Sequence, residues 1–461
     1  MLEAATFMAD TRSGQRVTIV GAGLAGALLA TRLGQAGFSV SVYESRPDPR
    51  GKELAAGRSI NLAISARGFH ALGQIGLTEK ILELSTPMRG RMMHSIVGQL
   101  KFQPYSAHAG DVIHSVSRAE LNMALIAAAD AVGNVEFHFS HKCVGTDFER
   151  GSATFVDQQS DRNVECEPGL VIGCDGAYSA VRKKMQRLDR FDYSQTYLKH
   201  GYKELCIPAL PGGKHAIEPN ALHIWPRQSF MMIALPNLDG SFTCTLFLAF
   251  DSKSGPAFSK LTDKGQVNAF FEAQFPDAKK IMPTLIEDFF ENPTGSLVTV
   301  RCAPWHYEDK VALVGDACHA VVPFYGQGAN AAFGDCAMLG DLLIEQANQG
   351  QTTLANTLEK YFVNRKIHTD TLADLAVENF VEMRDHTGSQ LFLMKKKLEQ
   401  TLHKLFPKSF LPLYSMVSFS CIPYRDAVER ARRQWKTVQA AALAATVVVI
   451  TLIVWAVISC S

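Results

Sequence analysis

The stretch VTIVGAGLAGALLATRLGQAGFSVSVYES, Val17–Ser45, decides the fold. A short apolar run is followed by Gly21, Gly23 and Gly26 in the pattern GxGxxG, then by a predicted helix and a second strand that ends at Glu44. The first glycine permits a tight turn, the second lets a pyrophosphate approach the backbone, and the third lets the helix pack closely on the sheet. Free N–H groups at the helix start attract phosphates, and the carboxylate can accept hydrogen bonds from a ribose diol.

This unit predicts a dinucleotide site. The alternative, a glycine-rich turn without a ligand, is less favoured because the whole strand–turn–helix–strand unit and its terminal acid are present. Glu44 would repel a 2′-phosphate, so the site favours FAD or NAD over NADP.

Length and composition limit the class of protein. The 461 residues allow two domains or one large domain with an inserted sheet, and a net charge of +1 gives no reason to expect nucleic acid as a partner. Ten cysteines occur without a CxxC pair or a Cys/His cluster at metal spacing, which predicts free thiols and no metal. Met1–Gln15 is polar, so no secretory signal is expected.

Two further motifs follow apolar strands. Asp175-Gly176 ends a predicted strand, and Gly315-Asp316 ends another, which leads through a glycine-rich loop into a helix. Either dipeptide alone could be a simple turn, but the full run GDACHAVVPFYGQGAN predicts a second part of the cofactor site, with Asp316 accepting from a ribitol hydroxyl. Between the two motifs, strand-like runs without βαβ rhythm predict a mostly antiparallel sheet.

The composition changes abruptly near the end of the sequence. Ala440–Ile458 contains 19 residues without a charge, which is long enough to span a bilayer core. A buried core helix or strand is the alternative. A basic segment precedes this run, and positive flanks stay on the cytoplasmic side, so we expect the catalytic body to face the cytosol.

The three motifs in this order resemble the single-component FAD-dependent aromatic hydroxylases. The blocks GRSINLA at 57–63, MRGRMMH at 88–94, EPNALHIWPR at 218–227 and PFYGQGAN at 323–330 extend the resemblance to the branch that hydroxylates kynurenine. The resemblance implies FAD as cofactor and NADPH and O₂ as co-substrates. It also implies hydroxylation of L-kynurenine at carbon 3 through a flavin hydroperoxide, in tryptophan degradation, and a location in the mitochondrial outer membrane. We assign no side chain as general acid or base.

The same resemblance implies a substrate site. Arg91 and Tyr105 would bind the amino-acid carboxylate, joined by Asn379 and Tyr414, while Gln327 would lie between substrate and flavin. The apolar slot for the aniline ring would consist of Leu235, Phe247, Pro323, Phe324 and Met383. A guanidinium suits a carboxylate because it is always charged and binds in two-pronged fashion. From the residues alone, a surface salt bridge for the arginine and core packing for the tyrosines remain open.

One position departs from the family pattern, which has Phe or His where this chain has Tyr325. The predicted cofactor-binding residues are Gly21, Gly23, Leu24, Ala25, Gly26, Glu44, Arg46, Arg58, Leu62, Arg118, Asp175, Gly315, Asp316, Gln327, Gly328 and Asn330.

The predicted fold class is α/β: a Rossmann-like FAD-binding domain with an inserted, mostly antiparallel substrate sheet, C-terminal helices and a transmembrane helix. The predicted divisions are 1–185 for the FAD-binding part with interleaved substrate-site strands, 186–300 for the substrate sheet, 301–350 for the Gly315-Asp316 motif and its helix, 351–438 for the helices that close the substrate site and 439–459 for the transmembrane anchor.

Three alternative functions share some of these features. A flavin-dependent halogenase is disfavoured because no WxWxIP stretch occurs. A lipid-acting reductase is disfavoured because Arg91 and Tyr105 would not suit an isoprenoid tunnel. A flavin-bearing scaffold without turnover is disfavoured because all three cofactor motifs are present.

Overall fold

A computed structural model describes residues 15–51, 61–106, 108, 110–350, 353–382, 390–407 and 409–459, without the side chains of 390–393, 395 and 396. Two predicted site residues, Arg58 and Met383, lie outside the described residues.

A six-stranded sheet carries the cofactor motifs. Its strands, in spatial order, are β18 (His306–Tyr307), β19 (Val311–Leu313), β12 (Leu170–Gly173), β1 (Arg16–Val20), β2 (Ser39–Tyr43) and β8 (Val135–His138). All neighbours are parallel except β18 and β19, and Ile19 lies between Val42 and Ile172. Their apolar side chains are buried, as in parallel strands covered on both faces.

Helices cover this sheet. The helix after the glycine motif, α1 (Leu24–Gln35), packs against α4 (Arg118–Asp130) and α10 (Gly328–Asn348). A three-stranded sheet lies beside β12 and is formed by β9 (His141–Asp147), β10 (Ser152–Asp157) and β11 (Arg162–Glu165).

The second large sheet has seven strands. In spatial order they are β17 (Thr294–Ala303), β13 (Asp192–Ile207), β16 (Phe242–Ala249), β15 (Met231–Pro236), β14 (Ala221–Pro226), β5 (Gly90–His94) and β6 (Leu100–Pro104). Every pair is antiparallel except β14 with β5. Two strands therefore come from the N-terminal part of the chain, ahead of the predicted inserted region.

Three short helices and an apolar core cover one face of this sheet. They are α6 (Lys264–Gln274), α7 (Pro276–Lys279) and α8 (Leu285–Glu291). Phe271 and Phe275 pack here with Trp225, whereas Met93 and Phe247 belong to a separate cluster with Phe324.

The remaining short elements are a second small sheet, short helices and 3₁₀ turns. A three-stranded sheet consists of β3 (Asn61–Ile64), β7 (Ile113–Ser117) and β4 (Ser85–Met88). The short helices are α2 (Ala66–Gln74), α3 (Thr78–Glu83), α5 (Ala180–Met185) and α9 (Asp316–His319), and 3₁₀ turns occur at Pro49–Gly51, Phe258–Lys260 and Pro323–Tyr325.

The C-terminal part is helical. Its helices are α11 (Ala355–Val381), α12 (Gln390–Leu405), α13 (Leu413–Ser418) and α14 (Tyr424–Ser459). The first turns of α14 pack on the protein through Tyr424, Ala427 and Ala431, whereas its large apolar side chains from Leu443 to Ile458 are each more than half exposed. Among the described residues, α14 is the one helix long and apolar enough to cross a membrane. The exposure of its apolar half disfavours the alternative of a core helix.

Candidate functional site

The three cofactor motifs meet at one edge of the six-stranded sheet. The strands β1, β2, β12 and β19 are parallel, so their carboxyl ends lie together. These ends lead into Gly21, Glu44, Asp175 and Gly315 respectively. Ligands of open α/β sheets bind at this edge, so the topology gathers residues that are far apart in sequence.

The glycines of the first motif have distinct roles. Gly21 has φ +102°, and a Cβ there would lie 2.7 Å from the Cys174 carbonyl oxygen. A Cβ at Gly26 would lie 1.9 Å from the Gly21 oxygen, so this glycine is required for close packing. A Cβ at Gly23 would meet nothing within 4 Å, although Gly23 caps the start of α1. The helix start with Leu24 and Ala25 thus faces open space, which suits a phosphate group.

Glu44 is held in one orientation by the protein. One carboxylate oxygen accepts from the Ala22 N–H at 2.9 Å, and the other accepts from the Arg46 N–H at 2.9 Å and its Nε at 2.8 Å. Burial opposes ionisation, but these hydrogen bonds outweigh it and hold the pKa of Glu44 below its usual range. The group is therefore an anionic acceptor placed beside the glycine turn.

The Asp175 side chain accepts hydrogen bonds from the backbone at the second motif. Its Oδ2 accepts from the N–H groups of Ala180 at 2.6 Å and Val181 at 3.4 Å, at the start of α5. Its buried Oδ1 has no hydrogen-bond partner among the described residues. Arg182 donates to the carbonyl oxygens of Ala177 and Ala317, each at 2.6 Å, and so joins the second motif to the third.

The third motif rests on a buried ion cluster that sequence reasoning missed. Asp335 accepts from the Gly315 N–H at 3.2 Å and from Arg365 Nε at 2.7 Å, and it also pairs with His319 Nε2. All three residues are 5% exposed or less. Burial opposes ionisation of Asp335, but the two basic groups outweigh it and lower its pKa. No local sequence signal identifies this cluster, because its members are 16 and 30 residues apart.

Asp316 and Arg118 are both accessible to solvent at the carboxyl edge. The positive charges of His319 and Arg118 lie close enough to Asp316 to favour its ionised form. Leu62 on β3 is half-buried and packs against the core of the six-stranded sheet, and Gly328 is the first residue of α10.

These residues fit FAD. Four features offer anion and hydroxyl contacts along one edge. They are the open helix start at Gly23, the fixed carboxylate of Glu44, the accessible Asp316 and the Asp175 oxygen that has no partner in the described part of the chain. FAD carries a pyrophosphate between a ribose and a ribitol, which require contacts of these two kinds.

The segment from Pro323 to Asn330 connects the cofactor edge to the other half of the site. Asn330 is fully buried: its Oδ1 accepts from the Ser65 N–H at 2.9 Å, and its Nδ2 donates to the carbonyl oxygens of Ala63 and Gly326. Gln327, 2% exposed, accepts from Tyr424 Oη at 3.2 Å. In the protein alone, these two predicted ligand-binding side chains are therefore already used to hold the segment.

A cavity of about 790 Å³ is lined by Tyr325 of this segment and by side chains of β5, β6 and the C-terminal helices. Four predicted substrate residues line it together: Arg91, Tyr105, Asn379 and Tyr414. The rings of Tyr105 and Tyr414 stack 5.5 Å apart, and the Arg91 guanidinium carbon lies 4.9 Å from the Tyr414 ring centre. Arg91 Nε is buried without a hydrogen-bond partner among the described residues, which suits an incoming anion. Tyr325, which departs from the family pattern, also lines the cavity and stacks on Tyr414 at 5.7 Å.

The predicted apolar residues form two neighbouring groups. Phe247 and Phe324 pack 4.9 Å apart, and Phe380, which the prediction omitted, stacks on Phe324 at 4.2 Å. Leu235 belongs to the other group, with Tyr105 and Tyr414. Pro323, which is predicted to line the apolar slot, is exposed. Asn379, which is predicted to help bind the carboxylate, donates from Nδ2 to the Phe324 carbonyl oxygen at 2.6 Å.

Comparison with known proteins identifies the family. A family model described as an FAD binding domain matches residues 15–375. Kynurenine 3-monooxygenase of Dictyostelium discoideum is 50% identical over 420 residues, 89% of each chain. The enzyme of that name from Myxococcus xanthus is 48% identical over 415 residues, 90% of this chain and 88% of the relative.

A solved structure supports the fold. The tetrameric form of 2-methyl-3-hydroxypyridine-5-carboxylic acid oxygenase superposes with a TM-score of 0.65 at 21% identity, over 82% of this chain and 95% of that chain. The predicted fold class and the FAD cofactor are confirmed. The chain is an FAD-dependent monooxygenase and belongs to the kynurenine 3-monooxygenase family.

Proposed function

We propose that this chain hydroxylates L-kynurenine to 3-hydroxy-L-kynurenine, with NADPH as electron donor and O₂ as oxygen donor. The observation that carries the proposal is the group Arg91, Tyr105 and Tyr414, whose side chains lie together at a cavity of about 790 Å³. The names of the relatives support the same substrate.

The substrate carboxylate binds at Arg91 in this proposal. A guanidinium keeps its charge when it is surrounded by protein, and the Nε of Arg91, which has no partner among the described residues, can donate to one carboxylate oxygen. Burial raises the pKa of Tyr105 well above its usual value, so its hydroxyl stays protonated and can donate to the same anion. The amino acid is thereby fixed at the end remote from the reacting ring.

The aniline ring lies against the apolar groups that contain Leu235, Phe247 and Phe324. Phe247 packs on Phe324 and Phe380 stacks on Phe324, so these side chains have little freedom to admit water. FAD, when bound, supplies electron transfer from NADPH and activation of O₂. The chain itself binds the ring in one orientation and excludes water from it.

We also propose that residues 440–458 of α14 anchor the enzyme in a lipid bilayer, with its catalytic body on the cytosolic side. The exposed apolar half of the helix supports the anchor. The basic residues ahead of it support the orientation; they are Arg425, Arg430, Arg432, Arg433 and Lys436. The mitochondrial outer membrane is the proposed destination.

The test is NADPH oxidation by the detergent-purified, FAD-loaded full chain, with and without L-kynurenine, with products identified by mass. Stimulated oxidation and a product heavier by one oxygen atom are expected. Stimulation with peroxide alone would mean that the true substrate is another aryl amino acid. No stimulation would refute the assignment of kynurenine and leave the FAD fold standing.

A further inference from the structure

The helix that carries the proposed membrane anchor begins inside the protein. Tyr424, its first residue, is fully buried. The guanidinium carbon of Arg67 lies 4.3 Å from the centre of the Tyr424 ring, and Arg67 also donates to the carbonyl oxygens of Cys421 at 3.2 Å and Ile422 at 2.8 Å. These contacts fix both the ring of Tyr424 and the chain that leads into it.

The hydroxyl of Tyr424 reaches the segment between cofactor and substrate. It donates to Gln327 Oε1 at 3.2 Å, and Gln327 Nε2 donates to Ser65 Oγ at 3.3 Å. Among the described residues, Ser65 is the hydrogen-bond acceptor for this Nε2. Ser65 also donates its N–H to Oδ1 of Asn330, which lies in the first turn of α10, the helix that Gln327 precedes. Gln327 is therefore held from both sides, by the anchor helix and by the loop after β3.

We propose that Tyr424 is a positioning residue, which orients the amide of Gln327 and thereby couples α14 to substrate binding. The proposal rests on the proposed function, because it takes Gln327 to lie between flavin and substrate.

Coupling of this kind is reciprocal. If Tyr424 must be in place for Gln327 to bind substrate well, then bound substrate must stabilise the start of α14 by the same free energy. Amide exchange in residues 424–431 should therefore slow when the site is occupied. A purely structural tyrosine would stabilise the protein without this dependence on ligand.

The test compares Tyr424→Phe with the wild-type full chain, both FAD-loaded in detergent. Phenylalanine keeps the ring and its contact with Arg67 and removes the hydrogen bond alone. Tyr361→Phe is the matched control, because Tyr361 is equally buried and its hydroxyl donates to a backbone oxygen, that of Leu313, at 3.3 Å.

We expect Tyr424→Phe to raise KM for kynurenine by about 2- to 10-fold, the size of one hydrogen bond, and to lower the yield of product per NADPH. Kynurenine should slow exchange at residues 424–431 in the wild type and in Tyr361→Phe, but not in Tyr424→Phe. The proposal would be overturned if Tyr424→Phe had the same KM, the same product yield and the same slowing of exchange by kynurenine as the wild type. It would also be overturned if Tyr424→Phe and Tyr361→Phe showed equal kinetic changes.

A second arm separates this proposal from the proposed function. Exchange at residues 424–431 is also measured in the FAD-free and FAD-loaded chain without kynurenine. FAD should slow it in the wild type and less in Tyr424→Phe, because Gln327 and Asn330 hold one end of the cofactor segment. If kynurenine changes exchange in none of the proteins, the comparison with FAD still tests the coupling. Equal slowing of exchange by FAD in the wild type and in Tyr424→Phe would overturn the coupling between Tyr424 and Gln327.

Discussion

Replacing Asp335 with asparagine removes the one acidic group in the buried cluster under the third motif. Its carboxylate faces His319 and Arg365 and also accepts from the Gly315 N–H. Asparagine has nearly the same shape but only one acceptor oxygen, and its amide hydrogens would face at least one donor. Arg365 would remain a buried cation without its counter-ion.

The magnitude follows from burial. Removal of one partner from a buried ion pair costs about 3–5 kcal/mol, because the remaining charge stays desolvated. Asp335 is fully buried, so we expect Asp335→Asn to lose stability in this range. Asp341→Asn is the control on the same helix: Asp341 pairs with Arg32 at 2.8 Å, but its side chain is 52% exposed. A surface pair of this kind contributes about 0–1 kcal/mol.

The assay is urea unfolding of the FAD-loaded full chain in detergent micelles, followed by far-UV circular dichroism and by release of flavin fluorescence. The midpoint should fall much further for Asp335→Asn than for Asp341→Asn, with similar slopes. FAD should also dissociate more readily from Asp335→Asn, because Gly315 loses an acceptor for its N–H. Equal losses in the two variants would refute the argument that the buried cluster holds the third motif.

Four further predictions concern other parts of the chain. Arg91→Ala should raise KM for kynurenine by about 10- to 150-fold while FAD stays bound, since hydrogen bonds to charged groups contribute about 1.5–3 kcal/mol; unchanged KM in steady-state assays would contradict the carboxylate role. Gly23→Ala should weaken FAD binding measured by fluorescence titration in a protein that still folds, whereas Gly26→Ala should abolish folding, because its Cβ would overlap a backbone oxygen. Burial lowers the pKa of His223 to about 4, so the unfolded chain takes up this proton first as pH falls from about 6.5. The stability that His223 contributes should decline by up to about 1.4 kcal/mol per pH unit down to pH 4, and urea titrations of His223→Gln should show a smaller slope with pH than those of the wild type. A chain ending before Ala440 should stay in the supernatant after sedimentation of membranes, whereas the full chain should pellet.

The cofactor half of the fold could be predicted because its signals are local. GxGxxG followed by Glu44 specifies turn, helix and acceptor within one short stretch. Strands that end at Asp175 and Gly315 are expected to share an edge with it, because parallel strands align their carboxyl ends. The local sequence of these apolar strands and glycine turns is therefore sufficient to predict where they lie in the fold.

The substrate half carries no comparable signal. Arg91 lies on β5, which joins the seven-stranded sheet through a parallel pairing with β14, more than a hundred residues later. Tyr414 and Asn379 reach the same cavity from separate C-terminal helices. Residue type alone could not distinguish these side chains from core tyrosines or a surface arginine, and only the family resemblance named them.

The cluster around Asp335 and the contact of Tyr424 with Gln327 were missed for a related reason. Each depends on side chains that approach one another only after several helices have packed. A buried aspartate in a helix resembles any other aspartate in the sequence. Only its lack of exposure in the fold shows that it must have basic partners.

The segment from Pro323 to Asn330 is where the two halves depend on each other. Asn379 on α11 donates to its Phe324 oxygen, Tyr424 on α14 donates to Gln327, and Asn330 holds the loop after β3. A ligand that orders this segment from the cofactor side therefore fixes the Phe324 and Gln327 oxygens, which accept hydrogen bonds from α11 and α14. Docking of these two helices fixes the same oxygens and so orders the segment for the ligand. FAD binding and docking of α11 and α14 should be positively linked, since each reduces the conformational entropy that the other must overcome.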